Sequence, residues 1–174
     1  MIDKTELVDC YKSVLLTLID SRIDELKFYV SQKAFSHMTI SVAFWHYDMH
    51  WNIWNKDGLD FVQHSQVSHG EFIILSDFER GNKNVSKLRD IMESWEEEEL
   101  SGDEDEDEDE DIKLLIRIAH ESLALAIESD EIKPLFLDIL KENPSFEEAS
   151  FNSMVRIEDE EGVFDVNFLD FLKK

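Results

Sequence analysis

The chain has 174 residues, 41 Asp plus Glu, 17 Lys plus Arg, a formal charge of -24, and 43% hydrophobic residues including 11% aromatic. That aromatic share argues for a packed core rather than a disordered polyanion, five Gly and two Pro exclude collagen-like and Pro/Gly-rich chains, and the length suits one domain. The charge excludes direct binding to DNA, RNA or anionic lipid, which needs Lys and Arg to displace counterions, and it points to a basic protein as partner or to a role in solubility.

Residues 4–32 read as one long helix, because Val8, Leu15, Ile19, Ile23, Leu26 and Val30 recur at spacings of three, four or seven. Asp3 and Glu6 have capping-box spacing at its start. The period then changes to two. Met38, Ile40, Val42 and Phe44 alternate with polar neighbours, the polar stretch His46-Tyr47-Asp48 intervenes, and Met49, Trp51 and Ile53 resume on the odd positions. A switch of face across a polar interruption predicts a hairpin with its turn at 46–48. Asn55-Lys56-Asp57-Gly58 is a further turn, and Glu71 to Leu75 reads as a third strand.

Asn84 opens the next helix, with Val85, Leu88, Met92 and Trp95 as its apolar stripe. Of the 16 positions from 96 to 111, 13 are acidic, four in 96–99 and nine in 103–111, so the remainder carries -24 plus 13, or -11. This run reads as a solvated insertion at about 96–111. A helix over 112–129 follows, with Leu114, Ile118 and Leu125 adding apolar groups outside its stripe, which predicts the most buried helix of the chain. Pro134 suits the first turn of another helix, and Asn143-Pro144 ends it. Phe151 to Ile157 reads as a strand, Asp159-Glu160-Glu161-Gly162 as a turn, and Phe164, Val166 and Phe168 as a last strand. The expected fold is α+β: residues 1–174 form a single domain in which a long N-terminal helix and a central helical block pack on an antiparallel sheet.

Cys10 is the lone cysteine and sits in the apolar pattern of the first helix, which predicts a buried, inert thiol in a reducing compartment. The N-terminal residues show no basic segment followed by an apolar one, and no apolar run approaches the ~20 residues that span a bilayer. The expected location is the cytoplasm.

Few constellations carry chemistry. His46, Asp48 and His50 would project from one face of a continuous strand, and two imidazoles with a carboxylate can hold zinc or iron. A turn at that point scatters them. His64 and His69 match no ligand spacing. No Gly-x-Ser-x-Gly, dinucleotide fingerprint or phosphate loop is present, so a cofactor-free, non-enzymatic protein is expected. Phe44, Trp45, Tyr47, Trp51 and Trp54 form a dense aromatic group. Divided between the two faces of a hairpin, it leaves Trp45 or Trp54 as an interface anchor, with core packing as the alternative. Glu97, Glu98, Asp103, Glu104, Asp105, Glu106 and Asp107 are the acidic candidates for contact with a basic partner.

The layout as a whole, a long amphipathic first helix, a Trp-rich hairpin, a helical block carrying Ala119-His120-Glu121-Ser122-Leu123-Ala124-Leu125 and a Phe/Asp-rich C-terminal segment, resembles the small acidic immunity proteins of bacterial polymorphic and contact-dependent toxin systems. The resemblance implies a cognate toxin domain, often a basic nuclease, whose active site or substrate groove is masked. An acidic nucleic-acid mimic or chaperone of basic proteins is the alternative, and a metal-dependent enzyme using His46, Asp48 and His50 the second alternative.

Overall fold

The computed structural model describes residues 4–43, 48–58, 73–74, 83–99, 108–159 and 162–172. The fold is α+β. Helix α1 runs from Lys4 to Ser31, strand β1 from Phe35 to Ala43, β2 from Asp48 to Asn55 and β3 over Ile73–Ile74. Helices α2 (Lys83–Glu99) and α3 (Glu108–Ile127) follow, then α4 (Lys133–Leu140), the one-turn α5 (Phe151–Met154), β4 (Val155–Ile157) and α6 (Phe168–Phe171).

The hairpin has the face switch that the alternation requires. Ile40 lies opposite Trp51, Met38 opposite Ile53 and Val42 opposite Met49. All six side chains are buried in one cluster with Leu15, Leu18, Leu26, Leu123, Phe136 and Ile139 from the helices. Trp51 tilts against Phe136 of α4, with ring centroids 5.4 Å apart. The opposite face is polar: His37, Thr39 and Ser41 of β1 stand across from Trp54, Asn52 and His50 of β2. The turn after β2 forms as its residues demand, with the Asn55 side chain accepting from the Asp57 amide at 2.9 Å and Gly58 at φ 74°.

The helices are locked to one another by a few polar ties. The Asn143 side chain is buried; its amide donates to the Val30 carbonyl at 3.1 Å and its oxygen accepts from the Ser145 amide at 2.9 Å, joining the end of α1 to the turn after α4. Pro134 occupies the first turn of α4, where its missing N–H leaves nothing unpaired. Lys27 reaches Asp138 at 2.7 Å, and Lys4 reaches Glu121 at 3.4 Å.

Several expectations are corrected. Among the described residues the sheet has four strands in the order β3-β2-β1-β4, and β4 pairs parallel to β1, with Met38 opposite Val155 and Ile40 opposite Ile157. The sheet is therefore mixed rather than wholly antiparallel. Asp48 belongs to β2, opposite Ala43, and not to the turn. The acidic run is trimmed from both sides, since α2 continues through 96–99 and α3 begins at Glu108; residues 100–107 lie outside the described residues. In α3, Ile118 is buried, but Leu114 and Leu125 are exposed, so one flank of that helix faces solvent.

The strand expected over Phe151 to Ile157 shrinks to its last three residues. Glu147 and Ser150 form a reciprocal cap, in which the Ser150 hydroxyl donates to the Glu147 carbonyl at 2.6 Å, and this starts a helical turn through Phe151–Met154. The alternating Phe164, Val166 and Phe168 are not a strand either. The Asp159 carboxylate takes the Phe164 amide at 3.0 Å, and the Asn167 side chain caps α6 by accepting from Leu169 at 3.2 Å. These side-chain acceptors replace ladder partners.

Replacing Phe136 by Ala empties the space against Trp51 and is expected to lower unfolding free energy by about 3–5 kcal/mol in a urea titration.

Candidate functional site

The site grows out of the edge strand β4. Val155 and Ile157 point into the core, which sends Arg156 and Glu158 to the polar face of the sheet. After the strand the chain turns back on itself. The Gly162 amide donates to the Asp159 carbonyl at 3.3 Å, and Gly162 sits at φ 74°, a conformation that a side chain disfavours.

Two asparagines then clasp the returning segment to the body. The Asn167 oxygen accepts from the Ile157 amide at 3.0 Å, while its amide donates to the Asn152 carbonyl at 2.8 Å. The Asn152 amide answers by donating to the Leu169 carbonyl at 3.1 Å and to the Asp170 carboxylate at 2.9 Å.

Between strand and returning segment lies a cleft of about 540 Å³. Phe164 and Val166 supply apolar wall, and Glu158, Asp159, Asp165 and Asp170 supply carboxylates. Among the described residues Arg156 is the one cation lining it, and it is held by Glu158 at 2.6 Å. One guanidinium against four carboxylates gives 1 minus 4, or -3, in a concave space. Low-dielectric walls concentrate such a field, so the cleft suits a cation with an apolar stem, as Lys and Arg side chains are.

Behind this segment α3 presents His120, which is fully buried. Its Nε2 accepts from the Val42 amide at 3.3 Å, so Nε2 carries the lone pair and Nδ1 carries the proton, facing the Ile116 carbonyl at 2.8 Å. The ring stacks on Phe168 of α6, centroids 5.0 Å apart. Burial pulls its pKa below the ordinary histidine value, against the opposing pull of the Ile116 carbonyl, the Asp159 carboxylate and the Glu158 carbonyl.

The residues singled out from sequence fall elsewhere. Asp48 and His50 share the polar face of β2, and the Asp48 carboxylate is turned to its neighbour's amide, Met49, at 2.8 Å. His46, His64, His69 and Trp45 lie outside the described residues. Among the described residues no group of three or more His, Cys, Asp or Glu could hold a metal ion.

Trp54 is half-buried and committed to the sheet: its Nε1 donates to the Thr39 hydroxyl at 2.8 Å, and it stacks on His37 at 6.2 Å. The pKa of His37 is lowered by burial and then by the charge of Arg156. Glu97 and Glu98 close α2, while Asp103, Glu104, Asp105, Glu106 and Asp107 lie outside the described residues. Cys10 is buried, its thiol directed to the Asn84 carbonyl at 3.6 Å, and burial pushes its pKa up to about 11, which suppresses the thiolate.

The cleft is the feature that sequence reasoning passed over. Its signal was present: between positions 157 and 172 stand six acidic residues and no Lys or Arg. No family model matches the chain, and no match to a curated protein or a solved structure was found.

Asn167→Ala strips the acceptor from two amides and the donor from a carbonyl. It is expected to cost about 2 kcal/mol and to accelerate hydrogen exchange at Ile157 and Leu169 well beyond that at Trp51.

Proposed function

We propose that this protein is a non-enzymatic binding protein whose acidic surface engages a basic protein partner, in its most specific form an immunity protein that masks the active site or substrate groove of a basic toxin domain. The observation that carries this reading is the acidic cleft. The charge of -24 is not spread over a featureless surface; part of it lines a cleft with an apolar wall. Such a cleft seats a Lys or Arg from a partner through its stem and its head together.

The cations support the same reading. Lys4 and Arg117 both serve Glu121, Lys12 serves Asp9, Lys27 serves Asp138 and Lys133 serves Glu128, so they are spent on the protein's own carboxylates. Other carboxylates, among them exposed Asp20, Asp24 and Asp165, leave a strongly negative field for steering a basic partner. A buried, weakly acidic Cys10 suits the reducing cytoplasm in which such a protein would work. Among the described residues no helix is long and apolar enough to cross a membrane.

A second reading makes the acidic run the main contact, as in a nucleic-acid mimic or a chaperone of basic proteins. What favours it is that helical backbone flanks the run on both sides, 96–99 in α2 and 108–111 in α3.

The test asks first whether a gene for a basic toxin domain neighbours this one, and then titrates that domain kinetically with this protein. Raising salt from 50 to 500 mM is expected to slow association at least tenfold, and Asp165→Lys to slow it several-fold at low salt. Deleting residues 101–111 separates the readings: toxin inhibition survives in the first and is lost in the second. A salt-independent rate, or a toxin left fully active by excess protein, counts against both.

A further inference from the structure

Buried histidines that share both ring nitrogens with backbone groups are anchored in one protonation state. His120 is such a residue. With Nδ1–H on the Ile116 carbonyl, Nε2 must keep its lone pair to accept the Val42 amide. A proton on Nε2 would set N–H against the Val42 N–H, a cost that the Glu158 carbonyl, which favours the charged ring, opposes. The site is closed on the solvent side by α6, whose Phe168 stacks on the ring, and α6 is held in turn by the Asn152–Asn167 clasp.

We propose that His120 is a proton-operated latch for the C-terminal segment: α6 docks only on the neutral ring, lifting α6 frees the ring to take up a proton, and acid therefore favours the lifted state. The proton comes from solvent to Nε2, and the bond given up is the one from the Val42 amide. The groups around the ring are these. From β1 comes the Val42 amide and from α6 Phe168; from the exit of β4 come the Glu158 carbonyl and the Asp159 carboxylate. On α3 itself the next residue, Glu121, is engaged by Lys4 of α1 and by Arg117. Asp159 is the charged group whose field reaches the ring among the described residues, and it favours the protonated form. The carboxylate thus gives the new imidazolium a partner once α6 has moved.

The sign follows from linkage. The docked ring has a depressed pKa and the lifted ring the ordinary one of about 6.5, so the lifted state binds more protons as pH falls below that value. Between pH 7.5 and 5.5 the ratio of lifted to docked molecules is expected to rise about tenfold. Lifting removes Phe164, Asp165 and Asp170 from the cleft, so the latch also decides whether the cleft exists. This holds whether or not any partner binds there.

The experiment is amide hydrogen exchange followed by NMR on the full chain, corrected for the intrinsic pH dependence. The opening ratio at Leu169 and Val42 is expected to rise about tenfold from pH 7.5 to 5.5, while Trp51 and Ile53 stay constant. His120→Gln, which keeps a neutral acceptor, is expected to abolish the slope, and His37→Gln to leave it intact. Nitrogen shifts of the wild-type ring provide a reading that needs no variant: Nε2 is expected to be unprotonated at pH 7.5. A flat Leu169 ratio in the wild type, an unchanged slope in His120→Gln, or an Nε2–H tautomer at neutral pH overturns the latch.

Discussion

The interaction on which the structure depends is the covering of one face of the β1–β2 hairpin. Met38, Ile40, Val42, Met49, Trp51 and Ile53 present a continuous apolar surface that two strands cannot hide by themselves. Burying side chains of this size is worth roughly 1.5–3 kcal/mol each, so the six together supply on the order of 10 kcal/mol, comparable to the whole net stability of a domain. Helices α1, α3 and α4 share the task, which is why Leu15 and Leu18, Leu123 and Ala126, Phe136 and Ile139 belong to a single cluster with the hairpin. Everything polar in the protein is arranged around that contact.

Its charge is one such arrangement. A chain at -24 repels itself when it compacts, and each exposed ion pair returns little in stability. The pairs that bridge elements nevertheless have a positional role: Lys27 with Asp138 sets α1 beside α4, Lys4 with Glu121 sets it beside α3, and Lys87 with Glu6 sets α2 beside α1. At Glu121 burial opposes ionisation, but Arg117 and Lys4 overcome it and hold the carboxyl below its usual range. Among the described residues the cleft against β4 gathers four carboxylates around one guanidinium.

Local patterns made much of this legible. Val8 to Val30 repeat with the helical period and become α1; Met38 to Ile53 alternate and become the hairpin; Asn55 to Gly58 have the residues that a turn needs and form one. What could not be read is non-local. Nothing near Val155 announces that it lies beside Met38 in parallel. Phe164, Val166 and Phe168 alternate as a strand does, but the Phe164 amide goes to the Asp159 side chain and the Leu169 amide to the Asn167 side chain, acceptors that compete with any ladder. The cleft stayed hidden for a related reason. Among 41 carboxylates no few stand out, and it takes the return of the chain along β4 to bring Glu158, Asp165 and Asp170 together. His120 likewise reads as one more residue of an apolar helix until Val42 is seen to end against it.

The parallel pairing of β4 carries a consequence for biogenesis. Met38 waits for a neighbour 155 minus 38, or 117, positions further along, whereas its contact with Ile53 needs only a short loop to close. On the ribosome the hairpin and α1 can therefore assemble while the outer margin of β1 is still bare. Until Val155 clears the exit tunnel, that margin offers unsatisfied amides and carbonyls to any other nascent strand. Mistaken strand exchange at this margin, more than collapse of the interior, is the hazard that this topology builds into its own synthesis.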